Sequence, residues 1–534
     1  MENGRHRTYG YWKFGLLVFF TLLIYLPSFS SGFVWDDNWY VTDNSALRTK
    51  AGLAAIWLRP GMTPQYYPLT FTTFFIERRL WGDNPAGYHA VNVTLHLLAA
   101  LLLWRLLAAL GMPGAWLAAA LFAWHPVAVE SVAWISERKN VLCAVFYFSS
   151  LQCLLAGFGA IKARHPLRLY AAGLFLFLLA MLSKTVAVSL PVVALIILWA
   201  KSRRISVYHL LAVVPFLALG LALGLLTAWL EKFHVGALGP DWSLTFPQRV
   251  LLAGRALWFY AEKLFWPDGL CFVYPKFPLD PASVTAWLYP VSAVAVLAAL
   301  FFARNRIGRA PFAAAACYAV ILFPALGFFN VYPFLFYWVS DHFQYLAMPA
   351  LLAPAAAGAA LLFSRAGDRG KIAVAALCVL ALGSFSLLSY GQCRTFRNPE
   401  VLWRATLARN PKAWMAENNL GMICSGAGRN REAAEHFRAA LAVNPNLTRT
   451  RLNLGVALAR LGHPEQAIEQ YRAALAIDPG MAEAHHNLGL ELLVMGKKEE
   501  AIKELQQALA HDPDFKPARL VLEEIARQGL MKNR

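Results

Sequence analysis

Apolar residues run along this chain in long blocks rather than in strand-like alternation. Windows long enough to cross roughly 30 Å of hydrocarbon as helix lie near residues 12–30, 88–110, 114–130, 140–160, 167–183, 185–200, 207–230, 284–303, 311–330, 343–363 and 371–390. The pattern predicts about eleven spans. A further apolar stretch, 248–266, contains Arg249, Arg255, Glu262 and Lys263. That is too much charge for a lipid-facing span, and an interfacial or re-entrant helix is expected there.

The basic residues sort with this reading. With Arg5, Arg7 and Lys13 on the cytoplasmic side, the even-numbered spans return Arg105, then Lys162, Arg164 and Arg168, then Lys201, Arg203 and Arg204 to the same side. Lysine and arginine gather in cytoplasmic loops. An interfacial 248–266 helix keeps Arg304, Arg306 and the basic 365–371 loop inside as well. Segments 31–87, 231–283 and 331–342 then face outward, as does the tail. Long loops in a compact protein are usually functional, so chemistry is expected on the outer side. The first apolar run lacks a small-x-small cleavage site and reads as a retained signal anchor.

Beyond residue 394 the pattern changes. Pro411, Pro445, Pro479 and Pro513 recur every 34 residues, as do Gly421, Gly455 and Gly489, and Ala433, Ala467 and Ala501. Asn-Leu-Gly and Ala-Leu-Ala tripeptides repeat in the same register. This is the period of the tetratricopeptide helix–turn–helix unit. Three repeats from about 411 and a closing helix near 516–529 satisfy the minimum for a stable stack, and 396–410 adds a half-repeat. The expected fold class is all-α, with residues 1–394 forming a polytopic membrane helix bundle with a long outer loop at 31–87. Residues 395–534 form the repeat solenoid.

Composition narrows the function. The chain of 534 residues is 58% hydrophobic, with mean hydropathy +0.46, and 15% charged, against roughly 25% in soluble proteins. Of the net charge of +18, +15 lies in residues 1–394 and +3 in the tail, so topology accounts for most of it. No basic face on a soluble module points to nucleic acid. The seven cysteines form no CxxC pair, which removes a disulfide framework and a zinc site of that spacing. No glycine-rich phosphate loop and no GxSxG elbow occurs, which argues against ATP-driven transport and serine hydrolysis.

Five groups of residues could carry chemistry. Asp36 and Asp37 follow the first span beside Trp35 and Trp39. Burial among aromatics raises a carboxylate pKa and improves it as a base. The pair could also hold a divalent cation, although two carboxylates alone are weak metal evidence. The second cluster runs from His125 through Glu130 to Glu137, Arg138 and Lys139, with Pro126 expected to break the third span. Its cations offer charge-assisted donors to a phosphate. Lys184 stands between two apolar runs, where it could bind phosphate or snorkel to the interface. His89 and His96 share a helical face, and Asp341, His342 and Tyr345 open the tenth span.

Together these motifs resemble the TMTC-type O-mannosyltransferases and their bacterial relatives, of the GT-C glycosyltransferase superfamily. The resemblance is carried by Phe33-Val34-Trp35-Asp36-Asp37, Tyr67-Pro68-Leu69, Asn84-Pro85 with Gly87-Tyr88-His89, His125-Pro126 through Lys139, Leu182-Ser183-Lys184, and Asp341 with Tyr345-Leu346. His342 stands where that family carries arginine, and Asn140 where it carries aspartate. The resemblance implies a polyprenyl-phosphate-linked sugar as donor and Ser/Thr hydroxyls of exported polypeptide as acceptors, at the outer face of a bacterial inner membrane.

The mechanism expected on that basis is inverting hexosyl transfer. Asp36 would act as base with Asp37 in support, Arg138, Lys139 and Lys184 would hold the donor phosphate, and the repeats would present the acceptor. His89, His125, Glu130, Glu137, Asp341 and Tyr345 are further site candidates. Two other readings remain open from sequence: a non-catalytic scaffold recruiting envelope-assembly partners, and sugar transfer onto a lipid or glycan.

Overall fold

The computed structural model describes residues 2–202 and 204–532; Arg203 of the basic loop therefore lies outside the described residues. The described chain is helical throughout, without a strand, and divides into two compact units at Leu402/Trp403.

Among the described residues of the first unit, eight helices are long and apolar enough to cross a membrane. A ninth span forms if Ala115–Trp124 and Pro126–Ala133 count as one, bent by 53°. The bend falls at Pro126, where the ring removes a backbone donor. Two shorter apolar helices, Tyr11–Ile24 and Ala310–Ala325, occupy the other predicted windows. The first of these belongs to the helix Glu2–Ile24, which gives way to a 3-10 turn at Leu26–Ser30, containing Pro27, and the second passes into a 3-10 turn at Phe323–Ala325, containing Pro324. The charged 248–266 stretch forms the amphipathic helix Phe246–Phe265 and is not among the span-capable helices.

The long 31–87 segment is itself folded. Helices Lys50–Leu58 and Pro68–Trp81 turn Ile56, Phe71 and Phe74 onto Tyr40, Val41 and Ile135 in a closed apolar core. Tyr40 stacks on Phe71 with ring centroids 5.2 Å apart. This small core fastens the 31–87 segment to the start of Ile135–Gly157, the most buried of the spans.

The second unit is a stack of helix pairs: Trp414–Gly426 with Asn430–Val443, Thr448–Arg460 with Pro464–Ile477, and Ala482–Val494 with Lys498–His511. Lys516–Lys532 closes it. The repeated glycines are packing positions, since a Cβ on Gly455 would lie 2.4 Å from the Tyr471 ring. Each first helix ends on a left-handed glycine, Gly428, Gly462 or Gly496, with φ between 75° and 78°. A side chain would strain the backbone there.

Candidate functional site

The site begins with a clamp. Asp37 is fully buried. Its Oδ2 accepts the Val34 N–H at 2.8 Å, and its Oδ1 accepts the Ser136 N–H at 2.8 Å and the Ser136 hydroxyl at 2.5 Å. Oδ2 thus closes the Asp-Asp turn on itself, and Oδ1 ties it to residue 136. The turn is tight enough to place Trp35 at φ 49°, a left-handed conformation that bulky residues rarely adopt. This fixes Asp36, half-buried, beside the start of the Arg138–Gly157 helix.

Burial raises the Asp36 pKa to about 6, with Lys139 and His342 pulling it down and Glu137 pushing it up. Burial also lifts Asp37 to about 7, against its hydrogen bonds from Ser136 and Val34. Asp36 is the better-placed base of the two, because Asp37 has no oxygen without a partner.

Two lysines converge on one carboxylate, Glu137, which itself acts on Asp36. Lys139 Nζ lies 2.8 Å from Glu137 Oε1, and Lys184 Nζ lies 3.2 Å from Glu137 Oε2. Lys184 also donates to Asn140 Oδ1 at 2.8 Å, and Asn140 Nδ2 donates to Glu137 at 2.7 Å. Lys184 therefore turns inward, and does not snorkel. Lys139 reaches the Tyr40 hydroxyl at 3.4 Å and sits 4.8 Å from the Tyr40 ring centroid. Two cations thus share one Glu137, and of the two it is Lys139 that acts on the Asp36 carboxyl.

A relay of polar groups borders this centre. His342 Nδ1 is 2.8 Å from Glu130 Oε1, while its Nε2 lies 3.9 Å from Glu137. Ser340 Oγ donates to Glu130 at 2.9 Å. On the opposite flank Tyr40 bonds Gln65, and Gln65 Nε2 donates to Glu231 at 3.1 Å. Glu231 also accepts the Tyr332 N–H at 3.0 Å.

Several candidates fall elsewhere. Arg138 is fully buried and directed away from the two lysines. It bonds Asn92, Thr73 and the Tyr88 carbonyl and grips both oxygens of Glu77. All five guanidinium N–H groups are satisfied internally, which leaves Arg138 no donor for the expected phosphate contact. His125 caps a 3-10 turn, accepting the Val127 N–H, with its Nε2 2.9 Å from the Leu264 carbonyl. Asp341 accepts from Tyr274 at 3.0 Å.

Tyr345 OH lies 2.7 Å from His96 Nδ1, and His96 Nε2 lies 3.0 Å from the Ala123 carbonyl. That pairing makes His96 a hydrogen-bonded core histidine. His89 is buried beside the Ser31–Gly32 backbone. Of the original candidates, Asp36, Glu137, Lys139, Lys184 and Glu130 come together around His342. Asn140 joins them, and Tyr40, Gln65 and Glu231 do so unannounced.

The Asp pair makes a poor cation site, since Asp37 is saturated and no third ligand joins it among the described residues. A Cys424, Glu432 and His436 group does lie close enough to share an ion. Glu432, however, is already held by Arg404 and by Arg429 at 2.9 Å, whose positive charges oppose a metal.

Comparison with known proteins bears on the tail. Tetratricopeptide-repeat family models match residues 425–482 and 462–525. Mouse protein O-mannosyl-transferase TMTC2 is 32% identical over 145 residues, covering 25% of this chain and 17% of the relative. Human protein O-mannosyl-transferase TMTC1 is 35% identical over 153 residues, covering 26% and 17%. The structure of YrrB, a TPR protein with an unusual peptide-binding site, is 21% identical with a TM-score of 0.23, covering 29% of this chain and 79% of that one. The chain thus matches less than a fifth of the length of these two curated relatives. Over its repeat region it is similar to proteins named protein O-mannosyl-transferases, joined here to a body of membrane-length apolar helices.

Proposed function

We propose that this chain is an integral-membrane glycosyltransferase of GT-C type. It moves a hexosyl unit, mannose or a near relative, from a polyprenyl phosphate to Ser/Thr hydroxyls of polypeptide at the outer membrane–water interface. The observation that carries the reading is Asp36, a carboxylate with a raised pKa, within electrostatic reach of Lys139 and of Glu137, the carboxylate that Lys139 shares with Lys184.

Each group has a task in such a reaction. The Asp36 carboxylate takes the proton from the acceptor hydroxyl as its oxygen attacks the anomeric carbon. The bond from that carbon to the phosphate oxygen breaks, and the phosphate leaves with the electron pair. Lys139 and Lys184 neutralise the charge that develops on it, aided by the partial positive charge at the start of the Arg138–Gly157 helix. Attack opposite the leaving phosphate inverts the sugar carbon. Because phosphate leaves readily, a second carboxylic acid is not needed, in contrast to glycoside hydrolysis. Asp37 is a positioning residue, and the Glu130–His342 pair braces Glu137 from behind.

The repeats would present the acceptor. Their first helices carry Asn453 and Asn487 at equivalent, half-exposed positions, and amide side chains can pair with an extended peptide backbone. Membranes containing the protein, supplied with radiolabelled polyprenyl-phosphate mannose, should transfer label to protein in a form released by β-elimination. Label appearing only in lipid or glycan would overturn the choice of acceptor. An absence of transfer from any polyprenyl-phosphate hexose would leave a scaffold as the better account.

A further inference from the structure

The Phe246–Phe265 and Val284–Ile307 helices cross where Gly254 meets Pro290, so closely that a Cβ on Gly254 would lie 2.4 Å from the proline nitrogen. Past that crossing the helices diverge, leaving a cleft of about 810 Å³ that shares no lining residue with the Asp36 centre. Val284–Ile307 has no buried residue and is strongly apolar. Its first turns therefore mark a membrane boundary, whichever side of the membrane that is.

Charge is ordered along this cleft. Arg255, half-buried beside the crossing, has its guanidinium 4.6 Å from the Tyr289 ring centroid and 5.1 Å from that of Phe277. It makes no hydrogen bond or ion pair among the described residues. A cation held between aromatic faces in a largely apolar cleft lacks the counter-ion that would offset its desolvation. Toward the other end stand Glu262, exposed and 3.7 Å from Lys263, and Asp280, in the connection preceding the second helix. Tyr289 is five residues inside that helix, about 7–8 Å deeper than its start at 1.5 Å per residue. The order from membrane to water is thus apolar wall, cation, carboxylates.

We infer that this cleft holds the head group of a zwitterionic phospholipid. Its phosphate lies on Arg255 and its ammonium toward Glu262 and Asp280, with the acyl chains along the exposed face of Val284–Ile307. The phosphate–ammonium order of such a lipid matches the order of charges in the cleft, and guanidinium is suited to bidentate phosphate contact. A purely anionic head group would meet the two carboxylates, which disfavour it. The inference is independent of the reaction proposed above.

Native mass spectrometry of the full chain in detergent, titrated with phosphatidylethanolamine or phosphatidylglycerol of identical acyl chains, tests it. The wild type should bind phosphatidylethanolamine about fivefold more tightly, and Arg255→Gln should weaken both lipids. Glu262 is exposed, so Glu262→Lys should leave the fold intact and reverse the preference toward phosphatidylglycerol. Equal binding of both lipids by the wild type would overturn the proposal. So would an unchanged preference in Glu262→Lys, or occupation of the cleft by a second copy of the chain.

Discussion

The Asp37 carboxylate accepts a 2.5 Å hydrogen bond from the Ser136 hydroxyl, joining two points 99 residues apart. This one contact sets the register of the site. Asp36 precedes one partner, and Glu137 follows the other, so the clamp places the proposed base beside the carboxylate that gathers the two lysines.

Breaking the clamp should therefore lower kcat without abolishing the fold. Ser136→Ala removes one donor and leaves the backbone bond, a loss of about 1 kcal/mol and roughly a fivefold fall in rate. Asp37→Asn turns one of the two acceptor oxygens into a donor facing a backbone N–H, of Val34 or of Ser136, and should cost more, at least tenfold. Steady-state transfer kinetics with a thermal melt of each variant check this. Equal rates in all three proteins would show that the clamp does not position Asp36.

Arg138 and Glu77 form a buried pair away from the lysines, with side chains 0% and 5% exposed. Removing one partner of such a pair leaves an unpaired buried charge and costs about 3–5 kcal/mol. Glu77→Gln and Arg138→Met should lower thermal stability sharply, and any folded fraction should keep an unaltered donor KM. A stable Arg138→Met protein with a raised donor KM would return Arg138 to phosphate binding.

Lys184→Met leaves Lys139 as the single cation on Glu137. Loss of a charge-assisted contact to the leaving phosphate should reduce kcat by about 10- to 100-fold, within the roughly 1.5–3 kcal/mol of such bonds. Replacement by arginine should rescue part of it. Single-turnover rates report this directly, and an unchanged rate would remove Lys184 from the phosphate site.

The pH profile follows from Asp36. Burial raises its pKa to about 6, and a base must be deprotonated to act. Transfer should therefore be near its plateau at pH 7.5 and fall toward a tenfold loss per unit below about pH 6. Lys139 pulls this pKa down, so Lys139→Met should move the acid limb to higher pH as well as lower its height. A limb that stays in place in Lys139→Met would mean that Asp36 is not the group titrating.

How much of this was legible from sequence differs by element. The repeats declared themselves because each 34-residue unit solves the same packing problem, down to the glycine that lies against Tyr471 or Phe437. The spans were legible from hydropathy, but the helices before Pro27 and Pro324 end sooner than a window average extends them. At the site, Asp36, Glu137, Lys139 and Lys184 were visible as charges placed against the apolar pattern. Arg138 misled because neighbours on a helix point about 100° apart, so it cannot share the direction of Lys139. Tyr40 and Gln65 come from the long 31–87 segment and had no shared spacing to betray them. Glu231 did leave a signal as the only acidic residue in Val207–Phe233, where an ionisable group warrants a functional reading.

The most direct test is Asp36→Asn. The folded chain holds this carboxyl at a pKa above its ordinary value, so its ionised form is disfavoured by the fold at neutral pH. The amide removes that charge and should melt at the same temperature as the wild type or higher at pH 8. Transfer of hexose from polyprenyl phosphate to protein, measured at that pH in parallel with the melt, should fall at least about a hundredfold, the order of a lost general base. An Asp36→Asn protein of equal stability that transfers sugar at the wild-type rate would contradict the account.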